Sequence, residues 1–319
     1  MSDILKKYDQ TEQSYREIAG LRRWDLILTG NLEIQSTESR CNQPIKKIFQ
    51  HLPEDCHHAK IYRNSDKGVG GKFVFVADGE TEEVSAQGFR KKLHKIMASF
   101  GKQPISVLMN VTSLELDSII HIQDFFYQTN RSRDLFAMYT SPARYEGRDN
   151  YQLRLNEIAQ PPGHISLHMD GFGHCPHVFI LGFDKGRALR YFAQYDEWRD
   201  SEKYAVIVDP PYVQGGADEA KKANPWIQIL QDEHVFHISA LEPFRLCEKL
   251  QTLYDDEKRL DIIPLGPKLM FLGATRFYFS LPEEERNNVR ILYDFPQASS
   301  GDTSAMGEHY LLNLNSCAK

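Results

Sequence analysis

A lysine follows the point at which an apolar segment turns into a helical pattern. The segment LDIIPLGPK covers residues 260–268, and the residues after Lys268 have helical periodicity. Gly266 permits a sharp bend, and the proline at 267 suits the first turn of a helix. The N–H groups at a helix N-terminus, next to an ammonium group, attract a phosphate or a carboxylate. We therefore predict that Gly266 and Lys268 contact an anionic ligand. The alternative is a turn shaped by Gly and Pro beside a solvated lysine.

The first half of the chain has a turn of the same kind, NVTSLELD at residues 110–117. Thr112 and Ser113 carry hydroxyl groups that could bond an anion or a ribose. They could also cap the helix that follows, with Glu115 in its first turn, and that interpretation needs no ligand. Helix capping is the simpler of the two interpretations.

The segment GHISLHMDGFGHCPH, residues 163–177, is the main alternative site. It concentrates side chains that can bind zinc or iron, namely His164, His168, Asp170, His174, Cys175 and His177. Their spacing matches no HExxH or CxxC motif, so we assign no metal. Three aspartates at predicted strand ends could instead bind Mg²⁺, although such positions are ordinary in α/β folds: Asp78, Asp209 and Asp294.

Short apolar segments rich in Val, Ile and Phe alternate with amphipathic helical patterns along the chain. The predicted strands are residues 25–30, 72–79, 105–113, 134–142, 177–183, 204–212, 234–239, 260–266 and 289–296. The predicted helices are residues 85–101, 113–128, 184–198, 242–257 and the segment after 268, and residues 212–226 are predicted as a loop. This alternation is typical of an α/β fold with mostly parallel sheets covered by helices on both faces.

The two halves of the chain have similar patterns. The segments that begin at Phe89 and Phe244, 155 residues apart, each continue through a helix, a strand, a turn, a second helix and a second strand. We therefore predict two similar Rossmann-like units, residues 1–150 and 151–319, arranged as a tandem pseudo-dimer.

The composition narrows the class of protein. A hydrophobic content of 41% and a charged content of 26% in 319 residues are typical of a globular protein of two domains. The net charge of −6 does not favour a nucleic-acid partner. Five cysteines without a CxxC pair suit a reducing compartment, and no apolar segment approaches the length of a membrane helix. We expect a cytoplasmic protein with no membrane contact.

The turns NVTS and PLGPK, each between a strand and a helix, resemble the ligand loops of CARF domains. These domains are Rossmann-like sensors of cyclic oligonucleotides in prokaryotic antiviral systems, and two fused units are similar to the SAVED arrangement. The resemblance implies a ligand held between two units by Thr112 and Ser113 from one and by Gly266 and Lys268 from the other. Pro267 departs from the Thr that is usual in these turns.

These observations predict a regulatory or sensor protein that binds a nucleotide-like small molecule, in a prokaryotic defence system and with a protein effector subunit as a further partner. Two other classes stay open. One is a metal-dependent hydrolase or nuclease that uses the cluster at 164–177, and the other is a non-enzymatic subunit that only binds protein partners. The sequence identifies no catalytic residue, because it has no GxSxG elbow and no GxxxxGK[ST] phosphate loop. It specifies no cofactor.

Overall fold

The chain divides into two compact units in its computed structural model. The first unit comprises Met1–Glu146 and Ala298–Lys319, and the second comprises Gly147–Gln297. The structure describes residues 5–30, 43–64, 71–143, 158–164, 175–182, 186–194, 201–209, 211–212, 214–294 and 306–315.

The strands, in chain order, are β1 Leu5–Tyr8, β2 Leu26–Thr29, β3 His57–Arg63, β4 Phe73–Ala77, β5 Glu80–Val84, β6 Ile105–Asn110, β7 Ser132–Pro142, β8 His177–Ile180, β9 Lys203–Val208, β10 Val235–Ile238, β11 Leu260–Pro264, β12 Val289–Ile291 and β13 Met306–Asn313. The helices are α1 Glu12–Gly20, α2 Gln43–Phe49, α3 Ala86–Ala98, α4 Leu116–Thr129, α5 Arg187–Gln194, α6 Gly216–Ala223, α7 Pro243–Glu257, α8 Lys268–Ser280 and α9 Glu283–Arg286. Two short 3-10 turns, Pro225–Ile229 and Asp232–His234, precede β10.

The first unit contains a mixed sheet with the strand order β1-β13-β7-β6-β2-β3-β4-β5. Its four central strands, from β7 to β3, are parallel, and the strands at both edges are antiparallel. Every residue of β2 and β6 is buried, as expected when helices cover both faces of a parallel centre. Strands β3 and β4 are antiparallel neighbours in this sheet.

The second unit contains an all-parallel sheet with the order β10-β9-β8-β11-β12. In chain order within the unit this is third, second, first, fourth and fifth, the order of a doubly wound nucleotide-binding sheet. The chain therefore reverses its direction of winding between β8 and β11. One face of the sheet packs on a core that includes Phe179, Ile207 and Ile263.

These two sheets confirm the predicted α/β class. The strands β6 and β11, which the sequence repeat relates, have equivalent neighbours. Strand β6 lies between β2 and β7, and strand β11 lies between β8 and β12. The equivalence supports a duplicated unit, while the tandem pseudo-dimer stays a prediction.

The amino ends of the equivalent strands carry polar groups in the same register. In the second unit Asp261 of β11 accepts hydrogen bonds of 2.7 and 2.5 Å from Arg290 of β12. In the first unit Ser106 of β6 donates to Asp134 of β7 at 2.9 Å, and the Ser106 amide donates to Asp25 at 2.8 Å. Buried polar groups require such partners, so each sheet is tied across its strands at this end.

The C-terminal strand differs from the predicted division of the chain. We predicted that residues 151–319 form the second unit, but β13 pairs with β1 and β7 in the first sheet. Leu311 and Leu312 of β13 are fully buried there. The burial of these apolar side chains stabilises the pairing of β13 with the first sheet. Strands β1, β5 and β13 are not among the predicted strands, and α6 lies within the predicted loop at 212–226. Within the described ranges no helix has the length and apolar content to cross a membrane.

A fully buried histidine joins the C-terminal strand to its neighbours. His309 of β13 lies with Nδ1 3.1 Å from Thr140 Oγ1 and with Nε2 3.0 Å from the Tyr15 hydroxyl. Burial lowers the pKa of His309 from 6.5 to about 4, and it outweighs the opposing charge of Asp9.

We expect His309 to make the fold sensitive to acid. Between pH 6.5 and about 4 the unfolded chain binds a proton at this residue and the folded chain does not. The contribution of neutral His309 to the free energy of unfolding is therefore fully present above pH 6.5. It decreases as the pH falls toward 4, by up to about 3 kcal/mol. His309→Gln should be less stable at pH 7 but should lose less stability over that range. Urea unfolding at a series of pH values tests this, and equal pH slopes for both proteins would contradict it.

Candidate functional site

Each unit has a topological switch point at the carboxyl edge of its sheet. In the first unit, β2 is followed along the chain by β3, which lies on one side of it, and later by β6, which lies on the other side. In the second unit, β8 has β9 on one side and β11 on the other in the same way. In open α/β sheets, ligands bind in the crevice that forms where the winding direction changes. All four predicted ligand contacts lie at these two edges, with Thr112 and Ser113 in the first unit and Gly266 and Lys268 in the second.

A glycine after the first parallel strand lies against the opposite turn in both units. A Cβ atom on Gly30, after β2, would lie 1.9 Å from the carbonyl oxygen of Ser113. A Cβ atom on Gly182, after β8, would lie 2.4 Å from the carbonyl oxygen of Leu265. Contacts this short are impossible for a side chain, so only glycine lets the two turns pack backbone to backbone.

In the first unit the predicted hydroxyl groups hold the protein's own backbone. The Ser113 hydroxyl accepts from the Gly30 amide at 2.9 Å and donates to the Asn110 carbonyl at 3.0 Å. The Thr112 hydroxyl accepts from the Thr140 amide of β7 at 2.7 Å. Both residues are almost fully buried. These bonds fix the turn after β6, and ligand contact by Thr112 and Ser113 stays a prediction.

Neither hydroxyl caps helix α4, contrary to the capping interpretation. The helix begins at Leu116, its N-cap residue is Glu115, and no side chain makes a capping hydrogen bond. The Glu115 carboxylate instead accepts from the Arg63 amide at 3.1 Å. The turn is two residues longer than a cap at Ser113 would require, because Ser113 and Leu114 first form a turn on the Asn110 carbonyl.

In the second unit the corresponding turn is short and leads directly into a helix. Strand β11 ends at Pro264 and α8 begins at Lys268, with Pro267 as its N-cap and no side-chain capping bond. The Leu265 amide donates to the Ile180 carbonyl at 2.9 Å, which anchors the turn to β8. A Cβ on Gly266 would lie 2.7 Å from the Leu181 carbonyl oxygen, so this glycine also permits a close approach. The first position of α8 therefore carries an ammonium group at the switch point.

A buried arginine supports this turn from the side. Arg187 of α5 donates to both carboxylate oxygens of Asp294, at 2.8 and 2.6 Å, and its Nη1 lies 3.4 Å from the Leu265 carbonyl oxygen. Asp294 is one of the aspartates considered for Mg²⁺. Its two oxygens are engaged by one guanidinium group, which is the strong bidentate geometry of such pairs.

A second acidic group lies further along the same edge. Asp209 directly follows β9, and its Oδ2 lies 3.0 Å from Nδ1 of His237 in the neighbouring strand β10. Both side chains are about two-fifths exposed, at 43% and 42%. A cavity of about 390 Å³ opens beside His237. Its walls include the apolar side chains of Ile207, Leu230 and Val235, and its polar groups include Gln228 and Asp232.

The described members of the histidine cluster are packed against, or paired with, other side chains of the protein. His164 packs against the rings of Tyr278 and Phe279, and desolvation lowers its pKa to about 4. Burial raises the pKa of the Cys175 thiol, and Nδ1 of the fully buried His177 lies 3.0 Å from Asp261. Among the described residues, no three His, Cys, Asp or Glu side chains are grouped to hold a metal. His168, Asp170 and His174 lie outside the described residues.

Sequence reasoning missed His237 and the cavity beside it. In the sequence, Asp209 is one of three aspartates at predicted strand ends, and His237 lies within a predicted strand with no distinguishing pattern. The two are 28 residues apart, and they meet only because β9 and β10 are parallel neighbours in register. The strand–helix–strand pattern could have related them, because it predicts that β9 and β10 are parallel neighbours in the sheet.

Comparison with known proteins assigns no family to this chain. No family model matches it, and neither a curated protein nor a solved structure does so. The geometry of the two carboxyl edges is therefore the basis for proposing a function.

Substituting the two glycines tests the backbone contact at the switch points. Gly30→Ala and Gly182→Ala should each destabilise the protein by about 1–3 kcal/mol or more, because the added methyl group must displace a carbonyl group. Gly20→Ala is the matched control, since a Cβ on Gly20 would meet nothing within 4 Å. Denaturant unfolding measures the effect, and stabilities like that of Gly20→Ala would contradict the close contact.

Proposed function

We propose that the protein is a regulatory protein that binds a nucleotide-like anion at the carboxyl edge of its second sheet. The observation that carries this proposal is the position of Lys268 as the first residue of α8, next to the switch point between β8 and β11. Backbone N–H groups at such a helix start attract anions, and the ammonium group adds a full positive charge.

Three features support an anion at this position. Pro267 offers no side-chain acceptor to the first amide groups of α8, so no capping side chain competes with a ligand there. Arg187, which contacts the Leu265 carbonyl oxygen of this turn, also pairs with both oxygens of the Asp294 carboxylate. A cation at a helix N-terminus also opposes the helix dipole, by a few tenths of a kcal/mol up to about 1 kcal/mol, and a bound anion removes that penalty.

The regulatory class rests on what these groups can do. A protonated lysine and backbone amides bind and orient an anion as hydrogen-bond donors, and in that form they accept no proton during its hydrolysis. The resemblance to CARF and SAVED proteins adds cyclic oligonucleotides, and a role in prokaryotic antiviral defence with an effector subunit, to this proposal. The described members of the histidine cluster, His164, Cys175 and His177, give no specific support to the hydrolase hypothesis.

We expect Lys268→Ala to preserve the fold and to weaken nucleotide binding by roughly tenfold or more, because one charge-assisted contact is lost. The unliganded variant should be as stable as wild type or slightly more stable, since the helix dipole no longer opposes a cation. A thermal-shift screen against mono-, di- and cyclic nucleotides measures both effects. Lys91→Ala, an exposed lysine on α3 of the other unit, is the matched control.

Two outcomes would contradict the proposal. One is that no nucleotide shifts the melting temperature of the wild-type protein. The other is that Lys268→Ala responds to every nucleotide as wild type does, in which case the turn has only a structural role.

A further inference from the structure

Lys268 and Asp209 both lie at the carboxyl edge of the second sheet, and the proposed function uses only Lys268. Lys268 follows the fourth strand of the unit, whereas Asp209 follows the second. One strand, β8, separates β9 from β11. At a strand spacing of about 4.8 Å, the two positions are about 10 Å apart across the sheet. A nucleoside diphosphate or triphosphate can extend over that distance.

We propose that Asp209 binds the ribose hydroxyl groups of the nucleotide, so that the protein selects ribonucleotides. This inference rests on the proposed function, and it adds the chemical class of the ligand. In dinucleotide-binding sheets of this winding order, the phosphates lie at the start of the helix after the first strand, beside the switch point. Here the start of α8, after the fourth strand, lies on the other side of the same switch point. An acidic residue after the second strand then accepts hydrogen bonds from the ribose. Asp209 occupies that place in the order β10-β9-β8-β11-β12.

The side-chain geometry suits this role. Within the described residues Asp209 bonds through Oδ2 alone, to His237, which leaves Oδ1 to accept from a ribose hydroxyl group. The hydrogen bond between His237 Nδ1 and Asp209 Oδ2 fixes the orientation of the carboxylate. It forms because β9 and β10 are neighbouring strands in register. Both side chains are accessible to a ligand without rearrangement of the core.

The cavity next to His237 can take the base. Its volume of about 390 Å³ lies within the range of small-molecule pockets, roughly 300–1,000 Å³. Ile207, Leu230 and Val235 offer apolar surface for the faces of a planar ring. Gln228 can donate and accept hydrogen bonds at the edge of that ring, and Asp232 can accept from an exocyclic amine.

The test compares sugars rather than bases. Equilibrium binding is measured with the four ribonucleoside triphosphates, their 2′,3′-dideoxy counterparts and inorganic tripolyphosphate, which has no sugar. Wild type should bind a ribonucleotide about 10- to 100-fold more tightly than its dideoxy counterpart, as expected for a hydrogen bond to a charged acceptor. Asp209→Ala should remove this preference by weakening only ribonucleotide binding. It should leave the binding of tripolyphosphate and the melting temperature unchanged.

Two further variants separate this inference from the proposed function. Asp256→Ala removes an exposed negative charge from α7 and should bind every probe as wild type does. Lys268→Ala should weaken all probes, tripolyphosphate included. Equal binding of ribo- and dideoxynucleotides by wild type would overturn the ribose site and leave the anion site standing. A ribose preference that survives in Asp209→Ala would overturn the assignment to Asp209. If no nucleotide and no tripolyphosphate bind to wild type, both proposals fail.

Discussion

The contact between two backbone turns at each switch point is the constraint on which both units depend. A parallel sheet brings the carboxyl ends of neighbouring strands together, so the turn after the first parallel strand shares space with the turn after its neighbour across the switch point. Gly30 and Gly182 have no side chain, so each can lie directly against a carbonyl group of the opposite turn without a steric clash. The starting points of α4 and α8, and therefore the groups that they present, follow from that contact.

The two units use the same scaffold with different polar groups at this edge. In the first unit, Ser113 and Thr112 bond to the backbone of neighbouring strands, which makes the turn part of the core. In the second unit, the turn is anchored by backbone bonds and by Arg187, and the helix begins with a lysine. Hydroxyl groups that satisfy backbone partners stabilise a turn, whereas a cation at a helix start favours an anion. This difference is why the functional argument centres on the second unit.

The antiparallel edge strands distinguish the first unit from the second. Strands β1 and β13 extend the first sheet beyond β7, and β13 comes from the far end of the chain. Its buried leucines and the contacts of His309 with Thr140 and Tyr15 tie the C-terminal segment to the first core. The second unit is thus inserted between two parts of the first, an arrangement that a simple division at residue 150 does not anticipate.

The sequence by itself determined the α/β class, the strands that are buried on both faces and the place of the two turns. Continuous apolar segments such as ISVLMN and LDIIP are typical of central strands, and Gly-Pro before a helical pattern locates the start of α8. Edge strands such as β5, with the sequence ETEEV, carry no such signal because their faces are exposed.

Only the tertiary structure decided what the polar residues touch. Thr112 and Ser113 have the local pattern of helix caps, yet their partners are Thr140 and Gly30, distant in the chain. The pairing of Asp209 with His237 likewise requires two parallel strands to lie side by side in register. Local patterns report burial and backbone conformation, but hydrogen-bond partners across a sheet are set by strand order and register. Those depend on packing over the whole unit.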